Sequence, residues 1–333
     1  MNYTQFNQQV KDGKLQSVYL FVGEEQFVKA RCLSRLIDAA IGDGPAELNV
    51  SRFDESALAD DVIAACLNMP LFANKRVVIY RDCPMLKATG KDTGEAALLE
   101  YIKQPAEDAV LVFYMQDKAD SRKALTKAIG KDAKVEFTQL SDADIHRFLS
   151  VDAKQRGLMV TRGAIERLIA YSGKDMSTLV NEMDKAVAYA YPATTIDETA
   201  IEAICTRTIE AEAFAIVDDL VAGRIQKAQR QLDELLQDAG ATQALFGAIA
   251  YRLRMVLSAR EALDAGKSQK DAAKQIKGHP FVVNKAFADA RRFSAARLRQ
   301  GLAALAEADA AIKSGRMRER VALNHALSKT FGI

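Results

Sequence analysis

The chain has 333 residues, of which 49% are hydrophobic and 27% charged, and its formal net charge is +2. These values are ordinary for a globular protein of two or three domains. No apolar run approaches the roughly 18 residues that a transmembrane helix needs, and the N-terminal segment lacks the pattern of a signal peptide. We therefore expect a cytoplasmic protein with no membrane partner.

Cysteine and histidine are sparse and scattered. The cysteines are Cys32, Cys66, Cys83 and Cys205, and the histidines are His146, His279 and His325. No two cysteines form a CxxC pair, and the histidines do not cluster. This spacing favours reduced structural cysteines over a disulfide framework or a metal site, and we predict no cofactor.

Residues 1–140 alternate short apolar runs with helical patterns. The predicted strands are 17–22, 48–53, 76–82, 109–115 and 133–138, and the predicted helices are 25–41, 57–67, 94–103 and 120–130. Nearly continuous apolar strands that alternate with helices indicate a parallel sheet covered by helices on both faces. The predicted fold class of this region is therefore α/β.

The segment from Ser17 to Ala30 has the layout of a phosphate-binding loop without its full chemistry. A working loop needs a second glycine, which lets backbone N–H groups approach phosphate, and a hydroxyl for Mg²⁺. Gly23 and Lys29 stand at the expected spacing, but Val28 replaces the second glycine and Ala30 replaces the hydroxyl residue. Two glutamates also follow Gly23 where a polyphosphate would lie. We predict a degenerate P-loop that binds no nucleotide; a chance match of Gly23 and Lys29 is the alternative.

From Ser141 onward the pattern is helical and the strand signal disappears. Residues 141–207 have the pattern of a small helical domain, in which Thr195 to Glu198 has the form of a capping box. Residues 208–333 have the pattern of a helical bundle. Its predicted helices are 209–222, 224–238, 240–264, 268–275, 280–290, 295–313 and 317–330.

Charge is uneven between these regions. Residues 1–207 carry 26 basic and 30 acidic side chains, whereas residues 208–333 carry 20 and 14. The basic excess lies at the end of the sequence, where residues 291–333 have nine basic and three acidic side chains. Such a region can face phosphates or form a solvated helix surface, and charge alone leaves both alternatives open.

Five segments in this order resemble the bacterial DNA polymerase III delta subunit family, which belongs to the clamp-loader branch of the AAA+ proteins. The segments are FVGEEQFVKA (21–30), MPLFANKRVVIY (69–80), LVFYMQDKADSRKALTKA (111–128), NEMDKAVAYA (181–190) and ADAAIKSG (308–315). The resemblance covers essentially the whole chain. It implies an AAA+-like α/β domain over 1–140, a helical lid domain over 141–207 and an all-α collar domain over 208–333.

The resemblance also implies a function. Members of this family bind the β sliding clamp and open it for loading onto primed DNA. The implied partners are the γ/τ motor subunits and δ′ in a hetero-pentamer, together with primer–template DNA reached through the complex. The chain would then be a subunit of a DNA-directed DNA polymerase holoenzyme with no catalytic site of its own.

Two further positions that an AAA+ ATPase needs are changed. A Walker B strand ends in an acidic pair that holds Mg²⁺ and polarises water, but the strand here is followed by Arg81, Asp82 and Cys83. Alignment of the lid on Asn181 places Ser177 where AAA+ proteins carry an arginine for the γ-phosphate. Together with the changed P-loop, these losses predict that the chain does not hydrolyse ATP.

The segment after the predicted helix 57–67 resembles a clamp-binding motif, a polar residue followed by aliphatic-x-Leu-Phe. Asn68 is the polar residue, and Met69, Leu71 and Phe72 are the apolar ones. A Leu or Phe buried in a partner's pocket contributes about 1.5–3 kcal/mol and acts as a hot spot. The alternative is that Leu71 and Phe72 fold inward and cover the core, which is the commoner fate of such a pair. The resemblance favours the clamp-binding interpretation.

Lys313, Arg316, Arg318 and Arg320 are the candidate contacts of the basic C-terminal region. The resemblance implies that this domain assembles with the collar domains of other subunits, and that some members also contact primer–template DNA there. The basic turn has no interleaved aromatic residues of the kind that stack on bases. We therefore favour assembly over direct DNA contact.

Ser121 and Arg122 lie at the start of the predicted helix 120–130. Motor-stimulating clamp-loader subunits carry Ser-Arg-Cys in this region and use the arginine on a neighbour's ATP, but here Lys123 replaces the cysteine. We interpret the segment as a solvated helix start, with an arginine finger as the alternative.

The sequence thus predicts a delta subunit of a bacterial clamp loader. Two alternatives differ in class. One is an ATP-binding AAA+ motor subunit with an atypical P-loop. The other is a helical scaffold with no clamp role, in which Leu71 and Phe72 belong to the core.

Overall fold

The computed structural model describes residues 1–89, 93–236, 241–267, 276 and 280–331. The chain divides into two compact units, Met1–Asp142 and Ala143–Ile333. The first unit ends close to the predicted boundary at residue 140. The predicted lid and collar both fall within the second unit, and the boundary between them at residue 207 stays a prediction. Within the described residues, no helix is long and apolar enough to cross a membrane.

The first unit is an α/β domain. Its helices are α1 (Tyr3–Lys11), α2 (Gln26–Ile41), α3 (Ala46–Asn49), α4 (Ala59–Leu67), α5 (Glu95–Lys103) and α6 (Ala124–Ala128). Its strands are β1 (Val18–Val22), β2 (Val50–Phe53), β3 (Arg76–Arg81), β4 (Ala109–Tyr114) and β5 (Lys134–Glu136). These strands form one sheet in the order β2-β3-β4-β1-β5, and every neighbouring pair is parallel. The predicted fold class of this domain is confirmed.

Alternate residues of β1 pack on opposite faces of the sheet. Leu20, whose neighbours in β1 are Tyr19 and Phe21, belongs to a core that includes residues of α4, α5 and α6. Tyr19 and Phe21 instead make edge-to-face ring contacts with Phe6 of α1, with centroids 5.5 and 5.1 Å apart. All five residues of β1 are buried because both faces are covered, which explains the continuous apolar run in the sequence.

Helix α1 is absent from the sequence-based prediction although its start carries a recognisable signal. The side chain of Asn2 accepts a hydrogen bond from the N–H of Gln5, and the side chain of Gln5 accepts one from the N–H of Asn2. This reciprocal pair is a capping box. Phe6 is the buried residue of the helix, so its apolar periodicity is weak.

The second unit is mostly helical. Its helices are α7 (Asp142–Gln155), which begins at the last residue of the first unit, α8 (Arg162–Ser172), α9 (Met176–Ala190), α10 (Glu198–Ile204), α11 (Ile209–Val221), α12 (Ile225–Leu235), α13 (Ala241–Asp264), α14 (Pro280–Ala290), α15 (Ala295–Lys313) and α16 (Glu319–Phe331). The predicted helix 268–275 lies outside the described residues.

Two features of this unit differ from the sequence-based expectation. Strands β6 (Met159–Val160) and β7 (Thr195–Ile196) form a short parallel pair, so the prediction of no strand after Ser141 is wrong. Because Thr195 lies in β7, it does not cap a helix. Asp197 is the N-cap of α10 and accepts a hydrogen bond from the N–H of Ala200 at 3.0 Å, so the predicted capping box is also wrong. Two-residue strands are too short to give an alternating pattern.

Helices α11 to α16 share one apolar core. Its buried residues run from Ala213 to Phe331. Leu298 and Leu305, two of the residues on the predicted apolar stripe of α15, are 1% and 3% exposed within it. The described part of residues 208–333 therefore has a hydrophobic core of its own, as an independent helical bundle requires.

Candidate functional site

The three predicted clamp-binding residues lie on the connection from α4 to β3 and face solvent. Met69 is 79% exposed, Leu71 48% and Phe72 90%. Large apolar side chains are normally withdrawn from water when the fold allows it, so a cluster of three exposed ones is a candidate interaction surface. The alternative in which Leu71 and Phe72 cover the core is wrong.

The apolar surface extends one residue further than the sequence motif. Leu67, the last residue of α4, is 65% exposed. The sequence predicts Leu67 only as the last residue of helix 57–67. Its position at the helix end, directly before Asn68 and Met69, gives the loop four exposed large apolar residues within six positions.

The backbone of this loop is held at two places although its side chains are exposed. The amide of Asn49 hydrogen bonds to both the N–H and the C=O of Leu71, at 2.7 and 2.8 Å. Further along, the N–H groups of Asn74 and Lys75 donate to the carbonyl oxygens at the end of α2, at 3.2 and 2.9 Å. The Leu71–Phe72 pair therefore lies between two fixed points.

Phe72 adopts an unusual backbone conformation between these points. Its φ is +56°, in the left-handed region that bulky residues rarely occupy. The turn brings Phe72 and Ala73 against Gly44, where a Cβ would lie 2.6 Å from both the Phe72 carbonyl oxygen and the Ala73 Cβ. Glycine at 44 therefore leaves the space that the loop fills.

The predicted P-loop has its two matching residues in structural roles. Gly23 has φ +120°, and a Cβ there would lie 2.1 Å from the carbonyl oxygen of Phe137. The N–H of Gly23 donates to Asp117 O at 3.2 Å, and the N–H of Glu25 donates to Phe137 O at 3.1 Å. These two backbone donors, which a phosphate-binding loop would point at its ligand, are bonded within the chain.

Lys29 is fully buried behind this turn. Its ammonium donates to the carbonyl oxygens of Gly23, Met115 and Gln116 at 2.6, 2.6 and 3.2 Å, and it lies 4.9 Å from the centre of the Tyr114 ring. An ammonium has three hydrogens, so in this arrangement none remains for a phosphate oxygen. Burial lowers the pKa of Lys29 from its ordinary value of 10.5 to about 8.

The other two positions of the expected ATPase site also have structural partners. The carboxylate of Asp82, directly after β3, accepts a hydrogen bond from the N–H of Gln116 at 3.0 Å. In the second unit, Asp175 caps α9 by accepting from the N–H and hydroxyl of Thr178 at 2.8 and 2.7 Å, and Ser177 is exposed beside it. Neither position offers an acidic pair or a cation for a triphosphate.

Arg122 lies in a turn and not in a helix. Helix α6 begins only at Ala124, so the predicted helix 120–130 is too long at both ends. The guanidinium of Arg122 holds Asp120 through bonds of 2.8 and 3.0 Å and lowers the pKa of that carboxyl to about 2. The arginine is thus paired with a residue of its own loop.

The four candidate residues of the basic C-terminal region are exposed: Lys313 ends α15, Arg316 and Arg318 lie on the connection, and Arg320 lies in the first turn of α16. Lys313 pairs with Asp309 and Arg320 with Asp233, each at 2.7 Å. Arg316 donates to the hydroxyl of Ser314 at 2.9 Å. Within the described part of the chain, Arg318 has no ion pair. Two of the four side chains, Lys313 and Arg320, are thus paired with carboxylates.

Comparisons with known proteins point to one family. A family described as DNA polymerase III, delta subunit, matches residues 19–138, and one described as DNA polymerase III delta subunit, C-terminal domain, matches residues 210–330. The DNA polymerase III subunit delta of Bacillus subtilis is 26% identical over 321 residues, which are 94% of this chain and 92% of the relative. A probable DNA polymerase III subunit delta of Aquifex aeolicus is 24% identical over 227 residues, which are 66% of this chain and 63% of that protein.

A solved structure shares the fold over the full length. The Bacillus subtilis DNA clamp loader delta protein superposes with a TM-score of 0.60 at 24% sequence identity, covering 99% of this chain and 100% of that one.

Proposed function

Since the chain belongs to the DNA polymerase III delta subunit family, we propose that it binds the β sliding clamp through Met69, Leu71 and Phe72. The observation that carries this proposal is the exposure of Phe72, which is 90% accessible to solvent. A phenylalanine held out of the core on an anchored loop has the form of a hot-spot anchor that fills a pocket on a partner.

The geometry favours insertion of the loop into a concave site. Leu67, Met69, Leu71 and Phe72 project from a connection whose backbone is already bonded to the domain. Transfer of one such side chain from water into an apolar pocket contributes about 1.5–3 kcal/mol. Because the backbone is ordered beforehand, less of this free energy is lost to ordering when the complex forms.

We propose that clamp opening follows from differential affinity. A ligand shifts a two-state equilibrium only if it binds one state more tightly than the other. The chain would bind the opened ring better than the closed ring and thereby hold one interface of the ring apart. No bond is made or broken in this step, which agrees with a chain that hydrolyses no ATP.

The remaining partners follow from family membership. We propose that the helical region 208–333 assembles with the γ/τ motor subunits and δ′ in a hetero-pentamer, and that primer–template DNA is reached through this complex in the cytoplasm. The shared apolar core of α11 to α16 supports an independent assembly domain. The motor subunits, and not this chain, would supply ATP hydrolysis.

The contact test replaces Leu71 and Phe72 by alanine. We expect clamp affinity to fall by about 100-fold or more, because two pocket-filling side chains are removed. The melting temperature should change little, since both side chains are exposed in the free chain. Leu58→Ala is the matched control, because Leu58 is 64% exposed and lies outside the loop. Isothermal titration calorimetry with the purified clamp measures both variants, and retained affinity in the double variant contradicts the proposal.

A nucleotide test separates the proposal from an active motor subunit. The bonds from Lys29 to three carbonyl oxygens support a chain that takes no ATP. Equilibrium dialysis with Mg-ATP should therefore detect no binding to the isolated chain. Tight ATP binding would assign the chain to the motor class and make Lys29 a phosphate ligand.

A further inference from the structure

Asn49, the last residue of α3, carries a buried amide whose hydrogen bonds are complete. The side chain is 0% exposed. Its Nδ2 donates to Pro45 O and to Leu71 O, both at 2.8 Å, and its Oδ1 accepts from Leu71 N at 2.7 Å. A buried amide is tolerated only when its donors and acceptor are satisfied, and here Leu71 supplies two of the three partners.

The Asn49 amide is bonded to the backbone of Leu71, while the side chain of Leu71 remains exposed. Both polar groups of the Leu71 backbone are bonded, as they would be to a neighbouring strand, while the side chain remains 48% exposed. The next residue, Phe72, has φ +56°. A bulky residue in that region is strained and persists only where its surroundings fix it. Asn49 and the bonds at Asn74 and Lys75 are the fixing contacts on either side.

Gly44 supports the same loop from a second position. It lies on the same connection between α2 and β2 as Asn49. A Cβ at residue 44 would lie 2.6 Å from the Phe72 carbonyl oxygen, closer than the atoms can approach without a shift of the backbone. The α2–β2 connection therefore forms a cradle, defined by Gly44 and Asn49, on which the loop around Phe72 rests.

A role in general stability does not explain this arrangement well. The loop buries little apolar surface, since Met69 and Phe72 are 79% and 90% exposed, so fixing its backbone adds little to the core. What the cradle does fix is the direction in which two exposed apolar side chains project. Preformed loops bind more tightly because the ordering cost is met before the partner arrives.

We propose that Asn49 and Gly44 are positioning residues that hold the Leu71–Phe72 pair in its clamp-binding conformation. This inference rests on the proposed function. Neither residue touches the clamp in this account. Their effect is to raise the fraction of chains whose loop is ready to bind, and apparent affinity falls in proportion when that fraction falls.

The test combines clamp affinity with hydrogen exchange of two backbone amides. Asn49→Ala removes the bonds to Leu71, and Asn181→Ala makes the same chemical change at an exposed site on α9, outside the loop. We expect Asn49→Ala to weaken clamp binding by about tenfold or more and to speed exchange of the Leu71 amide. The amide of Val78, in the centre of the sheet, should stay protected. Asn181→Ala should leave affinity within about twofold of wild type, as surface changes usually do.

Gly44→Ala keeps the test decisive if Asn49→Ala does not fold. The added methyl displaces the backbone at Phe72 without removing any bond of Asn49, so we expect a comparable loss of affinity. A synthetic peptide of residues 66–76 serves as the reference, because it contains the loop without the residues that hold it in place. Asn49→Ala and Gly44→Ala should bind the clamp no more weakly than this peptide.

The outcomes distinguish a failure of the proposed function from a failure of the positioning role alone. If wild type itself does not bind the clamp, the proposed function is wrong. If wild type binds and Asn49→Ala and Gly44→Ala bind equally well, only the positioning role is wrong. For Asn49→Ala, a loss of affinity with unchanged exchange at Leu71 also overturns the positioning role, because the loop would not have been released.

Discussion

At the residue scale, the Lys29 ammonium is held by backbone carbonyl oxygens at a place where an active P-loop would hold phosphate. Three carbonyls from Gly23, Met115 and Gln116 surround it, and the side chain is fully buried. Burial disfavours the charged form and is the largest influence on its pKa, while the carboxylates of Asp82, Asp117 and Glu25 oppose it weakly. The lysine therefore ties the end of β4 to the turn after β1.

This environment predicts a measurable pH dependence. The pKa of Lys29 is 10.5 in the unfolded chain and about 8 in the folded one. Between these values the unfolded chain binds one more proton than the folded chain, so the free energy of unfolding rises with pH in that window. Lys29→Met removes the titration. Urea unfolding from about pH 7.5 to about pH 9.5 should show wild type gaining stability relative to this variant. A constant or falling difference contradicts the assigned environment.

The residue identities at the candidate sites could be predicted from the sequence, but most of their contacts could not. Met69, Leu71 and Phe72 follow from a short motif. Their exposure does not, because a Leu-Phe pair fits a core equally well. The sequence gives no signal for the contact between Asn49 and Leu71, because the two residues are 22 positions apart. The segment that contains Asn49 is moreover predicted as a strand. Pairings between distant polar groups leave no local pattern in a single sequence.

At the element scale, the sequence predicts the strands of the parallel sheet and the long helices, but not α1, β6 or β7. Strands β1, β3 and β4 are covered on both faces, so their apolar runs are continuous. The sequence does not predict α1, because a helix whose buried residue is Phe6 has a weak apolar periodicity. It does not predict β6 and β7, because strands of two residues are too short to show an alternating pattern. The long helices α13 and α15 were predicted almost to the residue, since periodicity accumulates over many turns.

Helices α11, α13 and α14 are joined by one buried ion cluster that the apolar pattern does not reveal. Arg252 on α13 is 0% exposed and donates to Asp218 on α11, to Asp289 on α14 and to the carbonyl oxygen of Val282. Burial raises the pKa of Asp289, and the Arg252 charge opposes that shift most strongly. Arg252 therefore forms an ion pair with both carboxylates, and Lys285 on α14 forms a further ion pair with Asp218.

Arg252→Ala should destabilise the second unit by about 3–5 kcal/mol, because it leaves the buried Asp289 carboxyl without its ion pair to Arg252. Arg254→Ala on the same helix is the control. Arg254 is exposed and donates to the carbonyl oxygen of Ala250 one turn earlier, so its loss should cost no more than about 0.5 kcal/mol. Urea unfolding followed by circular dichroism measures both. Equal stabilities of the two variants would show that the cluster does not hold these helices together.

At the scale of the whole molecule, the exposed apolar loop around Phe72 and the basic excess lie in different units. The first unit carries the exposed apolar loop around Phe72. Residues 208–333 carry the basic excess, with 20 basic and 14 acidic side chains. We assign clamp binding to the first and assembly to the second. DNA contact through the basic turn is the competing role for the second.

Charge reversal at Arg316, Arg318 and Arg320 tests that competing role in the assembled loader. We expect DNA affinity and its salt dependence to remain unchanged, because Arg320 is already paired with Asp233 and no aromatic residues flank the turn. If the turn bound three phosphates, the affinity for DNA would fall in the variant. A plot of the logarithm of the affinity against the logarithm of the salt concentration would also become less steep, by about three in slope. That result would assign the turn to DNA.

Clamp binding by the isolated chain in the absence of nucleotide tests the central claim most directly. The clamp is immobilised, and wild type, Leu71→Ala/Phe72→Ala and Leu58→Ala are passed over it without ATP or other subunits. The account predicts that wild type and Leu58→Ala bind and that the double variant does not. Binding that requires ATP, or binding that survives loss of both Leu71 and Phe72, would contradict it.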